Sequence, residues 1–363
     1  MITKTVFPGR YMQGFKMIDR LGGELALFGK KGLAVLAPSA HKTLTEKLGA
    51  GSDRIQLDIE LFNRECCQAE IGRLCSIGRE RGTEFVVAIG GGKAIDTGKI
   101  VADRLKVPVA VVPTIASTDA PCSSCAVVYD RGEVVSVARQ RRNPDLVLVD
   151  TEIIANAPVR FLVSGMGDAL ATWFEAESCR ATFSNNEVGE KGSMTSYALA
   201  RLCYDTLLEF GVAAKVSCEA KAVTPALEHV VEANTLLSGL GFENGGLAAA
   251  HSIHNGLTVL PQTHHYYHGE KVAIGVLSSL FLTGKPGSVI DEVYTFCESV
   301  GLPTTLDDIG LAGSSGDDLR KAASRACAEG EFIHHEAADV SADLVVCAML
   351  AADQEGRRRK KNK

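Results

Sequence analysis

The chain has 363 residues, 46% of them hydrophobic and 23% charged, with a net charge of −6. This length and composition suit a globular protein of one large domain or, better, two, and the acidic balance argues against nucleic acid or an anionic membrane as a general partner. No run of about 18 apolar residues predicts a membrane span, and the opening MITKTVFPGRYMQGFKMI lacks the apolar stretch of a secretory signal.

The first half reads as alternating strands and helices. LAVLA (33–37) is a short apolar run expected to be a buried strand, followed by helical periodicity in HKTLTEKLGA. RIQLDIEL (54–61) is a second strand, and RECCQAEIGRLCSIGRERG (64–82) an amphipathic helix stopped by glycine. EFVVAIGGGKAIDTGKIVADRLK (84–106) reads strand, glycine turn, helix; VPVAVVPT (107–114) and DLVLVD (145–150) add strands. Strands apolar throughout and joined by helices predict a parallel sheet covered on both faces. Beyond about residue 155 the pattern turns helical, so an α/β domain over 1–157 and a helical domain over 158–363 are expected, with the cleft between them as the default site. The basic tail GRRRKKNK has no apolar partners and reads as a frayed, solvated end. The 11 cysteines are scattered and odd in number, and Cys122 and Cys125 form the one C-x-x-C. Free thiols in a reducing cytoplasm are the simplest reading, because no second pair completes a tetrahedral zinc site.

AIGGGKAIDTGK (88–99) places three glycines between a buried strand and a helix. Glycines there let a backbone approach a pyrophosphate, and the helix start offers N–H groups and partial positive charge. The pattern is neither G-x-G-x-x-G nor a Walker loop, and a plain tight turn is the competing account. Asp96 falls in the first helical turn, where a carboxylate is favoured without any function. PTIASTDAPCSS (113–124) follows the next strand, at the place where open α/β sheets bind ligands. Thr114, Ser117 and Thr118 could bond phosphate or ribose and Asp119 a substrate hydroxyl, or these side chains could serve the loop's own backbone.

GGLAAAHSIHNGLTVLPQTHHYYHGEKV (245–272) holds five of the nine histidines. His251 and His254 are three apart on one helical face; His264, His265 and His268 precede the next helix. A helix histidine and one from the following turn can meet on one metal ion. Asp168, in SGMGDALATWFEAESC (164–179), is the carboxylate candidate, with Glu175 and Glu177 as competitors and helix capping as the non-metal role. Two imidazoles and a carboxylate with an open position suit catalytic Zn²⁺ or Fe²⁺.

GGGKAIDTGK, PTIASTDAPCSS, GMGDALATWFEA, GGLAAAHSIHNGL and HHYYHGEKVA together resemble the bacterial glycerol dehydrogenases of the metal-dependent, iron-containing alcohol dehydrogenase superfamily. The likeness runs from FPGRYMQG (7–14) to ACAEGEFIH (326–334) and ADQEG (352–356). It implies a Rossmann-like α/β N-terminal domain and an all-helical C-terminal domain (the dehydroquinate synthase-like fold), NAD, one zinc per subunit with Fe²⁺ as the alternative, a small polyol substrate, and a cytoplasmic homo-oligomer, an octamer by resemblance. By motif position the metal ligands would be Asp168, His251 and His268. The cofactor contacts would be Gly92, Lys93, Ala94, Ile95, Asp96, Thr114, Ile115, Ala116, Ser117, Ser123, Cys125 and Tyr129. Asp119 would hold the polyol. His254 would relay a proton or only order the packing. Two departures stand out. Ala37 or Pro38 replaces the family's acidic residue beside the adenine ribose, which relaxes exclusion of NADP, and His41 or Lys42 could accept its phosphate. Cys125 replaces a common leucine with little consequence. A lyase of the dehydroquinate synthase type, or a sugar-phosphate dehydrogenase, would need basic residues near the metal, where Lys271 is one of few. A non-enzymatic zinc module would not need the glycine turn.

Overall fold

The computed structural model describes residues 2–41, 44–45, 55–130 and 133–361. Six parallel strands form one sheet: β1 (Tyr11–Gly14), β2 (Lys31–Leu36), β3 (Gln56–Leu61), β4 (Phe85–Gly90), β5 (Val109–Pro113) and, after an antiparallel pair β6 (Cys125–Asp130) and β7 (Glu133–Arg139), β8 (Leu146–Asp150). The sheet order is β1-β8-β5-β4-β2-β3. Phe85, Val87 and Ile89 on one face of β4 and Val86 and Ala88 on the other are all buried. That two-sided burial is why β2, β4, β5 and β8 are apolar runs rather than alternating ones.

Two features depart from the expected elements. Tyr11–Gly14 is a strand paired in parallel with β8, although its four residues carry no apolar run. CAVVYD and EVVSVAR form the β6–β7 hairpin; its β-branched runs flanking Asp130 were the available signal. Of the helix expected over 41–50, only residues 41, 44 and 45 are among the described residues.

Helices in chain order are α1 (Leu21–Leu25), α2 (Gln68–Arg81), α3 (Gly92–Leu105), α4 (Thr151–Asn156), α5 (Val159–Thr182), α6 (Met194–Glu219), α7 (Pro225–Glu232), α8 (Ser238–Gly245), α9 (Ala249–Leu257), α10 (His268–Leu282), α11 (Gly287–Val300), α12 (Gly316–Ala326) and α13 (Ala342–Lys361). Helix α3 lies close on β4: a Cβ on Gly98 would stand 2.4 Å from the Ala88 Cβ. Only glycine permits that approach, and it fixes where the helix start sits above the strand end.

The chain divides into two compact units, one of Val6–Phe161 with Val216–Gly239, the other of Met1–Thr5, Leu162–Lys215 and Leu240–Lys363. The segment after residue 215 thus packs with the sheet, a long-range exchange that local periodicity does not encode. The basic tail also differs from expectation. Helix α13 runs to Lys361, and Arg357 pairs with Asp307 at 2.6 Å, Arg359 with Glu298 at 2.8 Å and Lys360 with Asp308 at 2.6 Å. The tail is held by carboxylates distant in sequence as well as by Asp353 and Glu355 of its own helix, and the Arg359 side chain is only 13% exposed.

Candidate metal centre and cofactor cradle

Asp168 sits mid-way along α5 and is fully buried. His251 lies in the first turn of α9, and His268 opens α10. Helices α5 and α10 cross almost in contact: a Cβ on Gly269 would stand 1.7 Å from the Ser164 carbonyl oxygen. Glycine at 269, beside His268, lets the two backbones meet and carries the histidine to the acid. His268 Nε2 lies 3.0 Å and His251 Nε2 3.3 Å from Asp168 Oδ1. One ligand atom from each residue falls within 4.8 Å of the other two. An oxygen and two Nε2 atoms aimed at one point are the donor set of a catalytic metal with an open position, so the residues fit such an ion.

Glu175, weighed above as a ligand, stands one shell further out. Its Oε2 is 2.6 Å from His251 Nδ1, and its Oε1 accepts from the backbone N–H groups of Ala248 and His251, both at 2.9 Å. A bound cation would displace the Nε2 proton of His251, and Nδ1–H donating to Glu175 would then keep the Nε2 lone pair facing Asp168. Glu336 accepts from Ala249 N at 3.0 Å, so a second acid helps cap α9. Glu177 pairs instead with Lys285. His264 and His265 are exposed.

Electrostatics follow from this crowding. Burial alone would push the Asp168 carboxyl up, but the His268 and His251 imidazoles hold it well below the usual carboxylate range. Burial lowers His251, yet the Glu175 and Asp168 carboxylates raise it well above its ordinary value. Burial first, then His268, Lys271 and His251, keeps His254 well below its ordinary value. Its ring centroid is 4.2 Å from that of His268, and its Nδ1 is 3.1 Å from Asn255 Oδ1. His254 is therefore a neutral imidazole beside the metal set.

The other predicted residues gather in the α/β unit. The first N–H groups of α3, at Gly92 and Lys93, have no acceptor within the helix, as at any helix start. Ala94 and Ile95 are buried, and both donate their N–H to the Gly91 carbonyl, at 3.0 and 3.1 Å. The Lys93 ammonium lies 4.3 Å from the centre of the Tyr129 ring. The Asp96 carboxylate points inward: Oδ2 accepts from Val127 N at 3.0 Å, and Oδ1 is 3.1 Å from Lys99 Nζ. Thr114 and Ile115 are partly exposed at the end of β5, while Ala116, Ser117 and Ser123 are buried. Cys125 is partly exposed and Cys122 buried, and neither forms a disulfide. Ala37, at the end of β2, is 8% exposed; Lys42 lies outside the described residues.

Three supports of this loop were not anticipated. Ser238 Oγ donates to Asp119 Oδ2 at 3.1 Å. Asn234, within a π-helical turn Ala233–Leu237, donates to the Ala116 carbonyl at 3.0 Å. Lys99 reaches the same loop from α3. No local motif announces Ser238 or Asn234, because both contacts span more than 100 residues; Lys99 had one signal, its i,i+3 spacing from Asp96.

A sequence profile described as iron-containing alcohol dehydrogenase matches residues 8–151. The chain is similar to a glycerol dehydrogenase of Thermotoga maritima, 59% identical over 99% of each chain. It is 47% identical to a glycerol dehydrogenase of Pseudomonas putida, over 96% of this chain and 97% of that one. The crystal structure of a probable glycerol dehydrogenase from Sinorhizobium meliloti superposes with a TM-score of 0.94 at 42% identity, covering 98% of this chain and 100% of the other.

Proposed function

Because the chain belongs to the iron-containing alcohol dehydrogenase family, we propose that it oxidises glycerol and related vicinal diols with NAD⁺, glycerol giving dihydroxyacetone, with the help of one zinc ion per chain. The convergence of Asp168, His251 and His268 on one point carries this reading. A cation bound there supplies Lewis acidity that lowers the pKa of a substrate hydroxyl. NAD⁺ held at the start of α3 by Gly92 and Lys93 would supply the hydride acceptor, and the hydroxyl proton would leave to solvent.

The chain's own residues do the positioning. Asp168 provides the single negative charge of the ligand set, and Glu175 holds His251 with Nε2 forward. His254, neutral and packed on His268, takes up the hydroxyl proton and passes it through water. Asp119, steadied by Ser238, bonds the neighbouring hydroxyl, which favours vicinal diols over simple alcohols. Gly92 and Lys93 receive the pyrophosphate at the start of α3. Thr114, Ile115 and Ser117 line the dinucleotide, as do Ser123, Cys125 and Tyr129. Ala94, Ile95 and Ala116 act through packing, since their side chains are buried. The proposal extends to a cytoplasmic homo-oligomer, an octamer, which light scattering on the purified chain tests.

The deciding experiment follows NADH formation from glycerol before and after metal removal. Activity lost with chelator and restored by zinc, or better by Fe²⁺, supports the metal reading and identifies the ion. Full turnover by metal-free protein overturns it. NADP⁺ in place of NAD⁺ tests whether Ala37 at the adenine end relaxes the cofactor choice.

A further inference from the structure

The side chain of Lys99 is 1% exposed, and a buried ammonium is costly unless its hydrogens are accepted. Its Nζ donates to the carbonyls of Ala120 at 2.9 Å, Ser123 at 3.2 Å and Cys125, and lies 3.1 Å from Asp96 Oδ1. The other oxygen of Asp96 accepts from Val127 N at 3.0 Å. One helix thus holds four backbone groups between Ala120 and Val127 through a single buried ion pair. Ala120 and Ser123 lie outside any helix or strand, and Cys125 begins β6.

We propose that Lys99, with Asp96 as its counter-ion, is a positioning residue that latches the loop between β5 and β6 and so fixes the cofactor and polyol contacts on it. This inference rests on the NAD and polyol reading above. Ala120 follows Asp119, the proposed polyol contact, while Ser123 and Cys125 are proposed cofactor contacts, so the three carbonyls bracket the functional part of the loop. The opposite end of the loop, at Ala116, is held separately by Asn234. Lys99 therefore governs the 119–125 half. It also reassigns Asp96: its carboxylate serves the latch, not the dinucleotide.

The test is Lys99→Met in the full-length protein with its metal bound, read by NADH fluorescence titration and by steady-state kinetics. The latch predicts a Kd for NADH weakened by about tenfold or more and a raised KM for glycerol, with kcat at saturation within about threefold, as expected when positioning rather than chemistry is lost. Metal content stays at the wild-type level. Asp96→Asn, which keeps an acceptor for Lys99 but removes the charge, gives a smaller shift in the same direction. Unchanged NADH and glycerol constants in Lys99→Met overturn the proposal, whatever the thermal stability. If that variant is not recovered folded, Lys99→Gln decides: weakened NADH binding supports the latch and a wild-type Kd overturns it. A wild-type protein inactive on glycerol would instead sink the functional reading, a separate outcome.

Discussion

Glu175 touches no substrate in this account, yet it orders the metal centre, and removing its charge is the sharpest perturbation the structure offers. The side chain is 2% exposed and accepts three hydrogen bonds: one from the His251 ring and two from the N–H groups of Ala248 and His251. Glu175→Gln keeps the volume but removes the charge that selects the Nδ1–H tautomer of His251. Partners of this kind change metal affinity by about 10–100-fold, or roughly 1.4–2.7 kcal/mol. Glu175→Ala goes further and leaves two buried N–H groups at the start of α9 without their acceptor, at about 1–3 kcal/mol each. Zinc affinity is read by competition with a chromophoric chelator on metal-free protein, and stability by urea unfolding of the same samples. Glu175→Gln should lose affinity with modest loss of stability, and Glu175→Ala should lose both. Wild-type zinc affinity in Glu175→Gln would refute the idea that the carboxylate orients His251.

Asp168→Asn or His251→Ala should empty the site on metal analysis and lower turnover by at least about 10²-fold. Asp119→Ala should raise KM for glycerol more than for a mono-alcohol such as ethanol; an equal effect on both would remove its diol role. In metal-free protein the raised His251 contributes stability that is complete below its unfolded value near 6.5 and is lost as pH rises through its folded value. Thermal unfolding with chelator should therefore show stability falling on the alkaline side of about pH 6.5, a slope absent in His251→Gln. Asp168, held low, contributes stability present above about pH 3.9 and lost only as pH falls through its lower folded value. Arg359→Ala removes a pair with Glu298 that is largely shielded from water and should cost about 1–3 kcal/mol by urea unfolding.

What the sequence determined by itself is whatever is local. Strands β2, β4, β5 and β8 were legible because burial on both faces demands continuous apolar runs. The glycine turn was legible because a strand end, a bend and a helix start lie within 12 consecutive residues. The histidine window was visible as a concentration of imidazoles, Asp168 was already the carboxylate candidate, and the resemblance chose it over Glu175 and Glu177. Tertiary structure alone decided which groups serve the ligands. Glu175 looked like a ligand two turns from Asp168, and only the packing of α9 against α5 turned it toward Nδ1 of His251. Only the fold set the Asp96 carboxylate between Lys99 and Val127. The basic tail looked solvated because its acids lie some 50 to 70 positions away. Segment 216–239 joined the sheet for the same reason. Periodicity records which face of an element is buried, but not against what; pairing across long stretches of chain is settled by how whole elements pack, and that leaves no short-range trace.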